Sequence, residues 1–255
     1  MTLRIAVLGL GEAGSEIARD LVKAGAGVRG YDPLVTPSGG VVPRDSEADA
    51  VRDADLVLSV NSASDARTAL GNALPAARPG TVWADLNTGS RALKVALAGV
   101  AAEHRLVFVD VALMSPVPGN GLRTPMLAAG DGAARYAGAL VPLGATVTVL
   151  SGPAGDASAR KLLRSVFYKG LAAAVVEALD AASAAGCEDW LRLDIGSTLA
   201  GFDDRTLDRL VTGSRQHARR RAAEMAAAAE QLTELGVESR IAAATRDLLN
   251  DLAGR

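Results

Sequence analysis

Residues 7–18 read VLGLGEAGSEIA, and the order of residue types in this stretch decides the fold. An apolar run from Leu3 to Leu8 leads in. Gly9, Gly11 and Gly14 follow at G-x-G-x-x-G spacing, and the chain continues through EIARDLVKAG with a helical period. Gly9 permits a tight turn after a strand, Gly11 lets the backbone approach a pyrophosphate, and Gly14 lets the next helix pack closely on that strand. The helix start then presents N–H groups and the positive end of its dipole to the phosphates. Gly9, Leu10, Gly11, Glu12, Ala13 and Gly14 are therefore the expected cofactor-binding loop. Asp32 ends the next apolar run, GVRGYD, at the distance where a carboxylate bonds the ribose hydroxyls of a dinucleotide. A carboxylate there repels a 2′-phosphate, so NAD is the expected cofactor, with NADP kept open by Arg29 and Arg44.

Outward from this loop, short apolar runs alternate with Ala/Leu-rich segments of helical period as far as about Val149. The runs are LRIAVLG, GVRGYD, ADLVLSV, GTVWADL, RLVFVDV, TPMLAAG and ATVTVL. Such alternation implies a parallel sheet covered by helices on both faces, an α/β doubly wound sheet of the Rossmann type. Strand signals stop after Ser151. Between Gly155 and Ala185 there is no proline and alanine dominates, which predicts one helix of roughly 45 Å at 1.5 Å per residue. Further helices are expected at 188–199, 204–235 and 238–252, with Gly201, Gly213 and Gly236 as breaks. The expected division is a dinucleotide-binding domain over 1–151 and an all-helical substrate and dimerisation domain over 152–255.

Composition narrows the partners. The 27 Lys and Arg nearly balance the 29 Asp and Glu, which gives no basic field for nucleic acid or an anionic membrane surface. The N-terminal apolar run is too short to span a bilayer and has no cleavage pattern behind it. With one cysteine, Cys187, no internal disulfide is expected. A Cys/His metal site would have only Cys187, His104 and His217 to draw on, so none is expected. These features fit a cytoplasmic protein acting on a small molecule.

Ligands in open parallel sheets lie beyond the carboxyl ends of the strands. Those ends carry SVNSASD (59–65) and ADLNTGS (84–90), where Asn61 and Asn87 can bond a cofactor or substrate, while the neighbouring Ser and Thr are also ordinary helix caps. In the Pro/Gly-rich loop after VFVDVALM, Ser115, Asn120 and Arg123 offer hydroxyl, amide and guanidinium groups to a substrate carboxylate. On the long helix, Lys161, Ser165 and Tyr168 fall in one stripe. Leu162, Leu163, Val166, Gly170 and Ala173 form a packed face opposite. Lys169 lies off the stripe as a further anion-binding candidate. His217, Arg221 and Glu224 share a helix face by spacing, with a substrate-pocket role for His217 and Arg221 set against a solvated face.

Taken together, the glycine loop, the DLNT strand end and the lysine helix resemble the β-hydroxyacid dehydrogenase family, the group of 3-hydroxyisobutyrate and 6-phosphogluconate dehydrogenases. The likeness runs over essentially the whole chain. In that family a loop glycine is followed six residues later by a catalytic lysine and, four places on, by a polar residue; Gly155, Lys161 and Ser165 stand at those positions, with serine in place of the usual asparagine. The strand end D-x-S-T is similar to Asp85–Thr88. The substrate loop departs from the family pattern, reading DVALMSPVPGNGLRTPM from Asp110, and with RSVFYKG and HARRRAAEM it looks like a branch with a phosphogluconate-dehydrogenase-like C-terminal domain. The resemblance implies hydride exchange between a nicotinamide and a small β-hydroxy acid or its oxo acid. Lys161 is then the acid/base catalyst, Ser165 orients it, and the chain forms a homodimer. The rival readings are an imine or other carbonyl-derivative reductase, a branch that generally lacks this lysine, and a dinucleotide-binding sensor without chemistry.

Overall fold

Side-chain alternation along the first strand builds two cores at once. In the computed structural model, which describes residues 2–254, strand β1 (Arg4–Leu8) directs Ile5 and Val7 to one face of the sheet and Ala6 and Leu8 to the other. The remaining strands are β2 (Gly27–Tyr31), β3 (Val42–Pro43), β4 (Leu56–Ser59), β5 (Val82–Asp85), β6 (Val107–Leu113), β7 (Met126–Ala129) and β8 (Val147–Val149). They form one sheet in the order β3-β2-β1-β4-β5-β6-β7-β8. The strand order turns back beside β1, between β2 and β4, which is the switch point where such sheets open a crevice.

Helices cover both faces. Ile17, Ala18 and Leu21 of α1 (Glu12–Lys23) and Tyr136 and Leu140 of α5 (Ala133–Leu140) close the core over Ile5 and Val7. On the other face, α2 (Glu47–Val51), α3 (Ala66–Ala73) and α4 (Arg91–Glu103) pack Val51, Leu70, Leu97 and Ala101 around Leu8, Val57 and the fully buried Trp83. The doubly wound parallel expectation is met, with two refinements. Strand β3 is a two-residue addition, and β6 pairs with β7 antiparallel, so the chain returns through the 114–125 loop without a crossover helix.

After β8 the chain is helical: α6 (Asp156–Ala184), α7 (Glu188–Ala200), α8 (Asp204–Gln216), α9 (Ala218–Glu234) and α10 (Ile241–Ala253). Its contacts divide it into two compact units, Met1–Arg164 and Ser165–Arg255, so the first turns of α6, with Lys161, belong to the unit that holds the sheet. Three helical expectations are corrected. The break expected in the span 204–235 falls at His217, between two helices, and not at Gly213. Gly213 serves the bend differently: a Cβ there would lie 3.0 Å from the Arg221 guanidinium, which folds back and donates to Ser214 Oγ at 2.9 Å. The last helix starts at Ile241, because Glu177 of α6 captures the N–H groups of Arg240, Ile241 and Ala242, each at 2.7 Å, and caps it from outside. Finally, the face of α6 read as packed is bare within one chain, Leu163 being 72% and Val166 75% exposed. Among the described residues no helix is long and apolar enough to cross a membrane.

Candidate active site

The glycine loop has the geometry its sequence requires. Gly9 adopts φ +90°, and a Cβ on it would sit 2.5 Å from the Val60 carbonyl oxygen. At Gly14 a Cβ would meet the Gly9 carbonyl oxygen at 2.0 Å, so α1 rests directly on the turn. At Gly11, by contrast, a Cβ would find nothing within 4 Å, and the space there opens to the ligand side of the loop. The N–H groups of Gly11 to Gly14 precede the first intrahelical bond, from Ser15 N–H to the Gly11 carbonyl at 3.0 Å, and are the donors available to a diphosphate. Leu10 contributes otherwise. Its side chain is buried in the core and its N–H is given to Asp32.

Asp32 organises this end of the sheet. One carboxylate oxygen accepts the Leu10 N–H at 2.7 Å; the other accepts those of Leu34 and Val35 at 2.8 and 2.9 Å. It thus closes a turn after β2 and ties that turn to the glycine loop, and it lines a cleft of about 470 Å³ with Gly9, Gly11, Glu47, Asn61 and Asp65. Asp32, Glu47 and Asp65 make the cleft acidic. Arg29 instead donates to the Arg52 carbonyl at 2.5 Å and Arg44 stands 3.9 Å from Asp49; neither lines the cleft.

Further along the same edge, the Ser59 hydroxyl gathers two of the expected side chains. It accepts from Asn61 Nδ2 and from Asn87 Nδ2, both at 3.1 Å. Asn87 is 3% exposed and its Oδ1 has no hydrogen-bond partner, a buried acceptor that costs free energy until a donor reaches it. The amide of a nicotinamide is such a donor. Open space at Gly11, the N–H cluster on α1, the acidic cleft and this orphaned acceptor together fit an NAD-type cofactor. Next to Asn87, the Lys161 amine donates to Thr88 Oγ1 at 2.8 Å, so the helix lysine points to the carboxyl end of β5.

The remaining candidates are spread more widely. Ser115 is half-buried and Arg123 exposed, in a loop pinned to α1 by Gly119 N–H to Glu16 at 2.9 Å and Leu122 N–H to Asp20 at 3.1 Å. Burial pushes the Asp20 carboxyl up, but the Leu122 N–H and the Lys23 ammonium outweigh it and hold the group below the ordinary range. In the helical unit, Ser165 is half-buried, Tyr168 meets Phe167 edge-on and Lys169 is exposed; His217 stands at the α8–α9 joint and Arg221 is engaged with Ser214.

Sequence reasoning missed the ionic cluster beneath the lysine. Asp85, Lys94 and Asp110 are all fully buried, with Lys94 Nζ 2.5 Å from Asp85 Oδ1 and 3.3 Å from Asp110 Oδ1. A signal was present: Lys94 falls on the buried stripe of α4 with Leu97 and Ala101, at i, i+3 and i+7. Glu47, another cleft carboxylate, carried no comparable signal.

A family model described as the NAD binding domain of 6-phosphogluconate dehydrogenase matches residues 4–135, and one described as a domain of unknown function (DUF1932) matches residues 182–252. A probable 3-hydroxyisobutyrate dehydrogenase of Mycobacterium bovis is 32% identical over 126 residues, 47% of this chain and 43% of the relative. The match thus spans less than half the length of that curated relative. A conserved hypothetical protein from Sinorhizobium meliloti is 31% identical, with 98% of this chain and 88% of that one aligned at a TM-score of 0.64. An imine reductase variant from Myxococcus stipitatus, solved with NAD+, aligns over 100% of this chain and 94% of its own at a TM-score of 0.80; at 18% identity it shows the fold alone.

Proposed function

Because the chain belongs to the β-hydroxyacid dehydrogenase family and its sheet unit is an NAD-binding domain, we propose that it is an NAD-dependent oxidoreductase for a small β-hydroxy acid or the matching oxo acid. The observation that carries this reading is the Lys161–Thr88 hydrogen bond at 2.8 Å beside the orphaned Asn87 acceptor. The nicotinamide, when bound, supplies the hydride acceptor or donor. This chain's residues do the rest. Lys161 takes the hydroxyl proton when the substrate is oxidised and returns it when the oxo acid is reduced, which requires the neutral amine to be accessible at working pH. Thr88 holds the amine at the strand end, Asn87 receives the carboxamide, and Ser165 orients substrate or amine.

Gly9 to Gly14 and Asn61 bind the cofactor, with Leu10 acting through its backbone and Asp32 both shaping the loop and facing the ribose. The acidic cleft and the diversion of Arg29 and Arg44 favour NAD over NADP. Within the sheet unit the substrate carboxylate is assigned to Ser115 and Arg123; within the helical unit, taken by itself, Tyr168, Lys169, His217 and Arg221 are the groups able to bind an anion. Residues 1–151 then act as the dinucleotide domain and 152–255 as the substrate and dimerisation domain of a cytoplasmic homodimer, whose second copy would cover Leu163 and Val166. The lysine favours a dehydrogenase over an imine reductase, which has no alkoxide to protonate. A spectrophotometric screen of short hydroxy acids with NAD+ and NADP+ tests the proposal. Formation of NADH with one or more β-hydroxy acids is expected; tight dinucleotide binding without turnover of any of them would instead favour a sensor.

A further inference from the structure

Lys94 takes no part in the proton chemistry proposed above, yet it is the most completely buried cation in the site. Its amine donates to the Asp85 carboxylate at 2.5 Å and to the Asp85 carbonyl at 2.8 Å, and lies 3.3 Å from Asp110. The two carboxylates lead in different directions. Asp85 accepts the Asn87 N–H at 3.2 Å and the Asn87 side-chain amide at 3.0 Å, which sets the turn that delivers Thr88. Asp110 accepts the Gly155 N–H at 3.0 Å, the Ser158 N–H at 2.9 Å and the Ser158 hydroxyl at 2.6 Å. These donors stand at the start of α6, Gly155 just before it and Ser158 in its first turn, six and three residues before Lys161. Capping by that helix start offsets the second carboxylate, so one ammonium suffices for two acids.

An apolar side chain at 94 would pack with Leu97 and Ala101 without the cost of burying a cation, and burying an ion pair is a poor route to stability. What the cation supplies is a fixed link between two segments. We propose that Lys94 is a positioning residue: through Asp85 and Asp110 it locks the exit of β5 to the first turn of α6, and so sets the reach of Lys161 to Thr88. The inference rests on the reading of Lys161 as the acid/base group, and its test has an arm that needs no turnover.

The decisive variant is Lys94→Met with Asp85→Asn, which removes one charge of each sign at similar side-chain length and leaves Asp110 on its helix. Asp85→Asn alone, which keeps a neutral Lys94–Asp110 pair, serves if the double variant does not fold. Thermal melting and NADH titration establish fold and cofactor binding. The chain has four lysines, Lys23, Lys94, Lys161 and Lys169, so acylation of Lys161 can be followed by peptide mass spectrometry with Lys23 as internal reference. The proposal expects NADH still to bind, weakened by no more than about tenfold because Asn87 loses an acceptor at Asp85, and Lys161 acylation changed about tenfold, matched by Thr88→Val. With a substrate in hand, kcat falls by up to about 100-fold while KM moves less than about threefold, the size of effect a displacement near 1 Å produces. Unchanged Lys161 acylation in a folded variant, with Thr88→Val still altering it, overturns the proposal and leaves Lys94 a fold element only. If no hydroxy acid is oxidised, the functional reading fails while acylation still decides the role of Lys94.

Discussion

Alanine at Gly11 and at Gly14 separates cofactor binding from folding. At Gly14 the new methyl would lie 2.0 Å from the Gly9 carbonyl oxygen and 3.0 Å from the Gly9 carbonyl carbon. An ordinary carbon–oxygen contact is about 3.3 Å, so α1 must retreat by about 1.3 Å. The turn has little room to yield instead, because Gly9, at φ +90°, runs so close to the end of β4 that a Cβ on it would stand 2.5 Å from the Val60 carbonyl oxygen. Overpacking of this kind costs about 1–3 kcal/mol, a fall in melting temperature of roughly 3–10 °C for a chain of this size. The α1 N–H groups move with the helix. Losing two charge-assisted hydrogen bonds at about 1.5–3 kcal/mol each raises the NADH dissociation constant by more than about 100-fold. Gly11 is the contrast. Its φ of −62° suits alanine and its methyl meets nothing, so melting falls only by the roughly 2–4 °C that about 1 kcal/mol for replacing an N-cap glycine gives, while the space the diphosphate needs is filled and NADH affinity falls at least about tenfold. Thermal denaturation followed by tryptophan fluorescence and titration of NADH fluorescence read both effects. Parent-like NADH affinity in Gly11→Ala, or parent-like melting and affinity in Gly14→Ala, would refute the geometry of the loop.

Asp32→Asn keeps an acceptor but removes the charge facing the ribose; NADH affinity should fall about tenfold and the preference over NADPH should narrow, as competition titrations will show. Glu177 is held below the usual carboxylate range: burial pushes it up, but the N–H groups of Ile241, Ala242 and Arg240 outweigh that. Its contribution, about 1 kcal/mol after allowance for partial exposure, is full above the unfolded value of about 4.3 and lost as pH falls through the lower folded value. Urea midpoints of the parent and Glu177→Gln should therefore differ at pH 7 and converge near pH 3; a constant gap would contradict this capping role. Leu163→Asp with Val166→Asp should turn a dimer into a monomer in sedimentation equilibrium at micromolar concentration, and an unchanged mass would place the interface elsewhere.

The glycine loop was readable because every constraint on it is local: a strand, three glycines and a helix start within about a dozen residues. Asp32 was readable as a carboxylate near a cofactor but not as the acceptor of three backbone N–H groups, since two of those lie in a turn whose path depends on Pro33 and β3. Alternating apolar runs gave the parallel sheet, yet the reversal into β7 left no trace, because a strand buried on both faces looks alike in either direction. The apolar face of α6 was legible as apolar; whether its own chain covers it is a tertiary fact. At His217 the helix breaks where Arg221 reaches back across the bend to Ser214, a contact no local propensity encodes. Lys94 sat on a buried stripe in plain sight. Its partners Asp85 and Asp110 come from strands β5 and β6, and only the fold brings them within reach of α4.

The role of Lys161 is tested most directly by rapid-mixing hydride transfer in Lys161→Ala, with the hydroxy acid that the parent oxidises and NAD+ already bound. The lysine as proton acceptor predicts NADH formation slowed by about 10²- to 10⁴-fold, with NADH affinity unchanged. Transfer in Lys161→Ala within about threefold of the parent would contradict it and move the proton chemistry to another group.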